Sequence, residues 1–328
     1  MPGRGSRYRL SILGYHAVTA DPSPLNDWCY LDVEKFAQQM RWLADQPLDV
    51  LPLNDAVRAM AQGQLRRNTV ALTFDDGYRN NIKVALPVLL HHSFAATIFV
   101  STGPIGTTRT LWHGRIISAL ERSAKAAIDW YGARHDLTTA DARRRANVRL
   151  QAQVKLHAAA NPDAAAAEIE LLLDVPEVVA HPDTSPHAML SPDDIHLAQD
   201  SGLISFGAHT VTHPLLSALD DTRLADEIIG SVDTLAALTG QPCTNFAYPN
   251  GRDCDYDDRA VALLRNCGID AAVSTTNGPN YSGADLMRLR RWNIGQSTRF
   301  AVFKAKLRGH HPAALRASLR YWGALRLF

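Results

Sequence analysis

Cysteine is scarce. The 328 residues hold only Cys29, Cys243, Cys254 and Cys267, and no two of them form a CxxC pair. That excludes a disulfide framework and fits a reducing compartment or simple burial. An excess of one charge is also missing. Lys and Arg number 34 against 33 Asp and Glu, a net charge of +1, which argues against a nucleic-acid partner. No stretch approaches the roughly 18 apolar residues of a membrane span. The opening MPGRGSRYRLSILGYHAV has three arginines. Its apolar run, residues 10–13, falls short of the roughly 7–15 residues of a signal-peptide core. The expectation is a cytoplasmic protein. No internal repeat is visible. What remains is an ordinary globular composition, 46% hydrophobic and 20% charged, long enough to bury a full core.

Periodicity supplies the organisation. Residues 10–15 read as a strand and 33–44 as a helix, with Phe36, Met40 and Leu43 at helical spacing. Residues 70–74 are almost wholly apolar and run into Asp75-Asp76-Gly77, as expected of a strand covered on both faces. A helix over 82–91 and a strand over 96–100 follow. Residues 112–179 are rich in Ala and Arg, with helices expected at 140–159 and 164–173, so this stretch reads as a helical insertion. Alternation then returns, with helices over 191–201, 222–239 and 256–267 and strands over 204–207, 244–248 and 271–274. Such alternation implies an α/β barrel or an open α/β sheet. The tail, 299–328, carries seven Lys and Arg and no acid. It could lie on an anionic membrane surface or pack as a terminal amphipathic helix on its own domain.

Three clusters follow expected strand ends. In Thr73-Phe74-Asp75-Asp76-Gly77-Tyr78, two adjacent carboxylates after a buried strand are costly unless something uses or neutralises them. On extended backbone they point opposite ways and can take different tasks. An Asp-Gly turn with solvated acids is the plain alternative. In His209-Thr210-Val211-Thr212-His213-Pro214 the histidines share one face of either a helix or a strand. With one carboxylate they make a His, His, Asp set suited to Zn²⁺ with a position left for water. Satisfied core histidines are the alternative. Tyr248-Pro249-Asn250-Gly251 is a tight turn that could aim backbone N–H groups at a substrate oxygen. Trp112 and Trp130 could stack on sugar or belong to a core.

TFDDGY, HTVTHP and FAYPNG, in this order, resemble the motifs of the polysaccharide deacetylases, the NodB-homology group or carbohydrate esterase family 4. The resemblance covers residues 8–299. Residues 14–18, GYHAV, and 289–294, LRRWNI, are similar to the permuted branch that includes poly-N-acetylglucosamine and exopolysaccharide deacetylases. It implies a distorted (β/α)7 barrel over 1–299, with the insertion at 112–179 and a basic tail at 300–328. It also implies metal-dependent removal of an N-acetyl group from an amino-sugar glycan. Asp75 is then the general base. Asp76, His209 and His213 hold Zn²⁺ or another divalent ion such as Co²⁺ or Ni²⁺. His16 is the general acid, and Asn250, with Tyr248 beside it, serves the oxyanion and substrate. Two departures stand out. The arginine found two residues before the proline in the classical third motif is Ala247 here, and Arg291 takes that role in the permuted pattern. The classical C-terminal histidine has no counterpart, since His310 and His311 sit in a different context.

Other readings differ in class. A non-haem iron oxygenase also uses two histidines and a carboxylate, but βα alternation and the paired aspartates oppose it. A catalytically dead carbohydrate-binding module keeps the fold without turnover. A third reading keeps the enzyme but changes its substrate to a lipid-linked or small cytoplasmic amino sugar.

Overall fold

The computed structural model describes residues 8–21, 24–175, 179–181 and 184–308. In chain order its elements are β1 (Leu10–Tyr15), β2 (Ala17–Thr19), β3 (Tyr30–Asp32), α1 (Val33–Ala44), β4 (Asp49–Val50), α2 (Leu53–Ala61), β5 (Thr69–Phe74), α3 (Leu86–His92) and β6 (Ala96–Val100). Then come α4 (Trp112–Arg122), β7 (Ala127–Trp130), β8 (Ala133–Asp136), α5 (Ala140–His157) and α6 (Pro162–Leu172). The chain continues through α7 (Pro192–Asp200), β9 (Ile204–Ala208), α8 (Asp221–Thr239), β10 (Asn245–Ala247), α9 (Asp258–Asn266), β11 (Ala271–Asn277), β12 (Leu289–Asn293) and α10 (Phe300–Arg308).

β1 and β5 are buried at all six of their positions, as strands covered on both faces must be. They pair in parallel over their whole length. Among the described residues, seven parallel strands close a ring in the order β1, β12, β11, β10, β9, β6, β5 and back to β1. This is the distorted (β/α)7 barrel that the motifs imply. The distortion is local: β9 and β10 meet at the single pair Phe246 and Ala208, and the β11–β12 register shifts between Val273 and Asn277. Ile12, Ala71, Phe99, Ala247, Val273 and Leu289 form one apolar cluster, against which α2 lays Leu53, Val57 and Met60. The outer helices are locally specified. Asp32 caps α1 through bonds from the Glu34 and Lys35 N–H groups, and Ser191 with Asp194 forms a reciprocal cap on α7.

The insertion has its own core, built on Trp112, Ile116, Leu120, Trp130, Leu150, Val154, Ile169 and Leu173. Trp112 is 1% exposed and Trp130 3%, so neither offers a ring face to a sugar, and both serve packing. A buried ion pair, Arg115 to Glu170 at 3.0 and 2.5 Å, ties α4 to α6. The insertion is not wholly helical. β7 and β8 form an antiparallel hairpin whose turn residues, Tyr131 and Gly132, both have positive φ, the geometry two-residue hairpins favour.

The start of the tail packs on the barrel. Phe303 of α10 meets the Trp42 ring at 5.7 Å, and Arg9 donates to the Leu307 carbonyl at 2.6 Å. The membrane-contact expectation for the tail falls mostly on residues 309–328, which lie outside the described residues. No described helix is long and apolar enough to cross a membrane.

Candidate metal centre and active site

The chain turns sharply after β5. Asp75 N–H donates to the Tyr15 carbonyl at 2.9 Å. Asp76 and Gly77 are then both left-handed, with φ of 77° and 83°. This kink separates the two carboxylates, where strand alternation was expected to do so. Gly77 is required twice over, since a Cβ there would lie 2.7 Å from Val100 Cγ1.

Asp75 is gripped by Arg291. Nη1 reaches Oδ1 and Nη2 reaches Oδ2, both at 2.6 Å. The guanidinium is fully buried on β12, and its Nε donates to the Ser274 carbonyl at 2.9 Å. Burial pushes the Asp75 carboxyl upward, but Arg291 outweighs it and holds the group below the usual carboxylate range. His16 follows β1, with Nε2 4.0 Å from Asp75 Oδ2. Asn81 anchors it by donating to its carbonyl at 2.7 Å. Its Nδ1 is buried without a hydrogen-bond partner. Burial lowers its pKa, and the nearby Asp76 and Asp75 only partly offset that.

The two motif histidines lie in neither a helix nor a strand. His209 directly follows β9, and the loop passes through left-handed Thr210 and His213, at φ 65° and 61°. Glu227 of α8 ties this loop down. Its carboxylate accepts the Val211 and Thr212 N–H groups at 2.8 Å and also the Thr212 hydroxyl. His209 Nδ1–H donates to the Ala247 carbonyl at 2.6 Å, which leaves Nε2 free as a ligand. The Nε2 atoms of His209 and His213 each lie 3.5 Å from Asp76 Oδ1.

Asp76, His209 and His213 are buried, and their ligand atoms all lie within 4.8 Å of one another. Among the described residues, neither Asp76 oxygen has a partner in hydrogen-bonding geometry. A carboxylate this deep, unpartnered and ringed by imidazole nitrogens has the donor chemistry that suits a divalent transition metal.

Asn250 is left-handed at φ 58°. Its carbonyl accepts from Thr275 Oγ1 at 2.5 Å, and its backbone N–H makes no hydrogen bond among the described residues. Tyr248 does not join this group. Its ring stacks on Tyr256 at 3.7 Å, its hydroxyl donates to the Met287 carbonyl at 2.9 Å, and its N–H is taken by Val273. Both of its donors are thus engaged within the barrel.

Asn81 and Glu227 escaped the reading of the sequence, although each left a trace. Asn81 sits five residues past Asp76. Glu227 falls among Leu224, Ile228 and Leu235 on the buried face of α8, where a charge needs partners.

The polysaccharide deacetylase family model matches residues 62–272. His16 and Arg291 lie outside that span. YxkH of Bacillus subtilis (strain 168), whose name places it among polysaccharide deacetylases, is 32% identical over 99 residues. That match covers 30% of this chain and 34% of YxkH, so the chain spans about a third of that relative's length. The fold is similar to that of the Streptococcus pyogenes deacetylase PplD, solved with acetate, with a TM-score of 0.60 at 20% identity over 91% of this chain and 98% of PplD. It is similar also to IcaB of Ammonifex degensii, with a TM-score of 0.60 at 19% identity over 92% and 97%. With the family model matched over most of its length, the chain belongs to the polysaccharide deacetylase family.

Proposed function

We propose that this protein is a metal-dependent hydrolase that cleaves the N-acetyl amide of an amino sugar in a glycan. Water is consumed, and acetate and a free amine are released. The observation that carries the reading is the division of labour between adjacent buried aspartates. Asp75 is clamped by Arg291, while Asp76 turns Oδ1 toward His209 and His213, whose Nε2 atoms each lie 3.5 Å away.

Asp76, His209 and His213 would hold the ion, which when bound polarises an amide carbonyl and makes a water acidic near neutral pH. Asp75 takes the proton from the attacking water. Arg291 suits it to that task, because it fixes the carboxylate plane and keeps the group ionised. The free Asn250 N–H is the chain's donor to the oxyanion, and one such donor is worth about 3 kcal/mol. His16 delivers a proton to the departing amine, without which an amine is a poor leaving group. The reading places the protein in the cytoplasm.

The test is acetate release from N-acetylated glucosamine oligomers by metal-loaded protein, wild type against Asp75→Asn. The expected result is release by the wild type and a loss of at least about 100-fold in the variant, with metal retained. A metal-loaded wild type that releases no acetate from any N-acetylated amino sugar would overturn the reading and leave a carbohydrate-binding module.

A further inference from the structure

The insertion reaches into the metal centre at its first two residues. His113 of α4 is 7% exposed, and its Nε2 lies 3.4 Å from Asp76 Oδ2. That is the carboxylate oxygen opposite the one faced by His209 and His213. The approach is long for a hydrogen bond, but Oδ2 is buried and has no other partner. The Tyr78 hydroxyl lies 2.8 Å from the same Nε2. Beyond it the Tyr30 hydroxyl is 3.3 Å away, and that group contacts His187 Nδ1 at 2.5 Å. Next door, Trp112 Nε1–H donates to the His213 carbonyl at 3.3 Å. The Arg115–Glu170 pair, two residues further on, fixes the helix that carries both side chains.

We propose that His113 is a positioning residue for Asp76: its Nε2–H donates to Oδ2 and leaves Oδ1 turned toward His209 and His213. This rests on the reading of Asp76, His209 and His213 as a metal triad. His113 is not offered as a fourth ligand, because it falls outside the set of atoms within 4.8 Å of one another. The proton is assigned to Nε2 from its two oxygen neighbours, Asp76 Oδ2 and Tyr78. With the proton on Nε2, the orphaned Oδ2 and the Tyr78 oxygen both have a donor to face. The Tyr78 oxygen also accepts the Tyr30 hydroxyl hydrogen at 3.3 Å, and His187 Nδ1 contacts the Tyr30 oxygen at 2.5 Å. With Nε2 bare, a lone pair would face a buried carboxylate oxygen, which is costly. Losing a partner that orients a ligating group typically weakens metal binding about 10–100-fold. The insertion is thereby part of the metal centre, not an appendage to the barrel.

The experiment measures Zn²⁺ affinity by competition with a chelator, together with the visible spectrum of the Co²⁺-loaded protein. The proteins are wild type, His113→Gln, His113→Asn and His113→Leu. A glutamine amide nitrogen reaches about where Nε2 sits, and an asparagine amide stops short. His113→Gln should bind within about threefold of wild type, and His113→Asn and His113→Leu about 10–100-fold more weakly with an altered Co²⁺ spectrum. If the leucine variant does not fold, the polar Gln and Asn pair decides alone. Equal affinity and identical spectra in Gln, Asn and wild type would overturn the role of His113 and leave the triad standing. So would a Gln variant as weak as Asn. A wild type that takes up no metal would overturn both.

Discussion

Arg291 shows what one side chain does to its neighbour. Asp75 is 2% exposed and keeps its charge because the guanidinium beats the burial that opposes it. Replacing Arg291 with Met removes the largest of the forces that lower the pKa and leaves burial, which raises it, opposed only by His209 and His16. As a base, Asp75 works only when ionised, so activity fails as pH falls through its pKa. The acid limb of the kcat/KM profile should therefore move to higher pH in Arg291→Met. Unfolding should cost about 3–5 kcal/mol less, the usual penalty for stranding one partner of a buried pair. An unmoved acid limb would show that another group is the base. Gly77 makes a second residue-scale case. Gly77→Ala forces a Cβ against Val100 on left-handed backbone. It should destabilise the fold by roughly 1–3 kcal/mol, read as a lower Tm. Both aspartates and both histidines were legible as candidates from the motifs. Arg291 was legible through the resemblance, but a backbone acceptor such as the Ala247 carbonyl carries no residue signature.

Elements set the geometry that the motifs need. The loop carrying His209 and His213 has two left-handed residues, and its shape depends on Glu227 reaching across from α8. Glu227→Ala should leave both ligands in place yet weaken Zn²⁺ binding about 10–100-fold, as loss of an orienting partner does. Chelator competition measures it, and wild-type affinity would mean the loop holds itself. At the other end of the chain, Lys306 of α10 is 8% exposed, donates to the Asn293 carbonyl at 2.8 Å, and has its pKa pushed down by burial to about 8. The unfolded chain regains an ordinary value of 10.5. Between these values the unfolded state binds more protons, so this residue's contribution to stability rises with pH across that window. The rise is on the order of 3 kcal/mol. Lys306→Met should remove it, visible as the difference between the two proteins' urea midpoints from pH 8 to 10. Equal pH slopes would show that Lys306 is hydrated in the native state.

For the whole molecule, the strands buried on both faces were legible because their apolar runs are short and bounded, as in β1, β5 and β6. The closing strand β12 did not read as a strand. Its sequence, Leu-Arg-Arg-Trp-Asn, looks polar because one of its buried residues is Arg291, paired with Asp75. The β7–β8 hairpin was hidden by its alanine- and arginine-rich surroundings, and its Tyr131-Gly132 turn is a weaker signal than Asn-Gly. The choice between barrel and open sheet turned on the β1–β5 pairing, which is a long-range contact that periodicity does not encode. All of these elements converge on one claim, that Asp76, His209 and His213 bind a catalytic divalent ion. Metal content of the purified protein, measured by mass spectrometry for wild type and His209→Ala/His213→Ala, tests it most directly. One Zn²⁺, Co²⁺ or Ni²⁺ per chain in the wild type and none in the folded double variant is the predicted result. A wild type that retains no divalent metal after reconstitution would contradict the account.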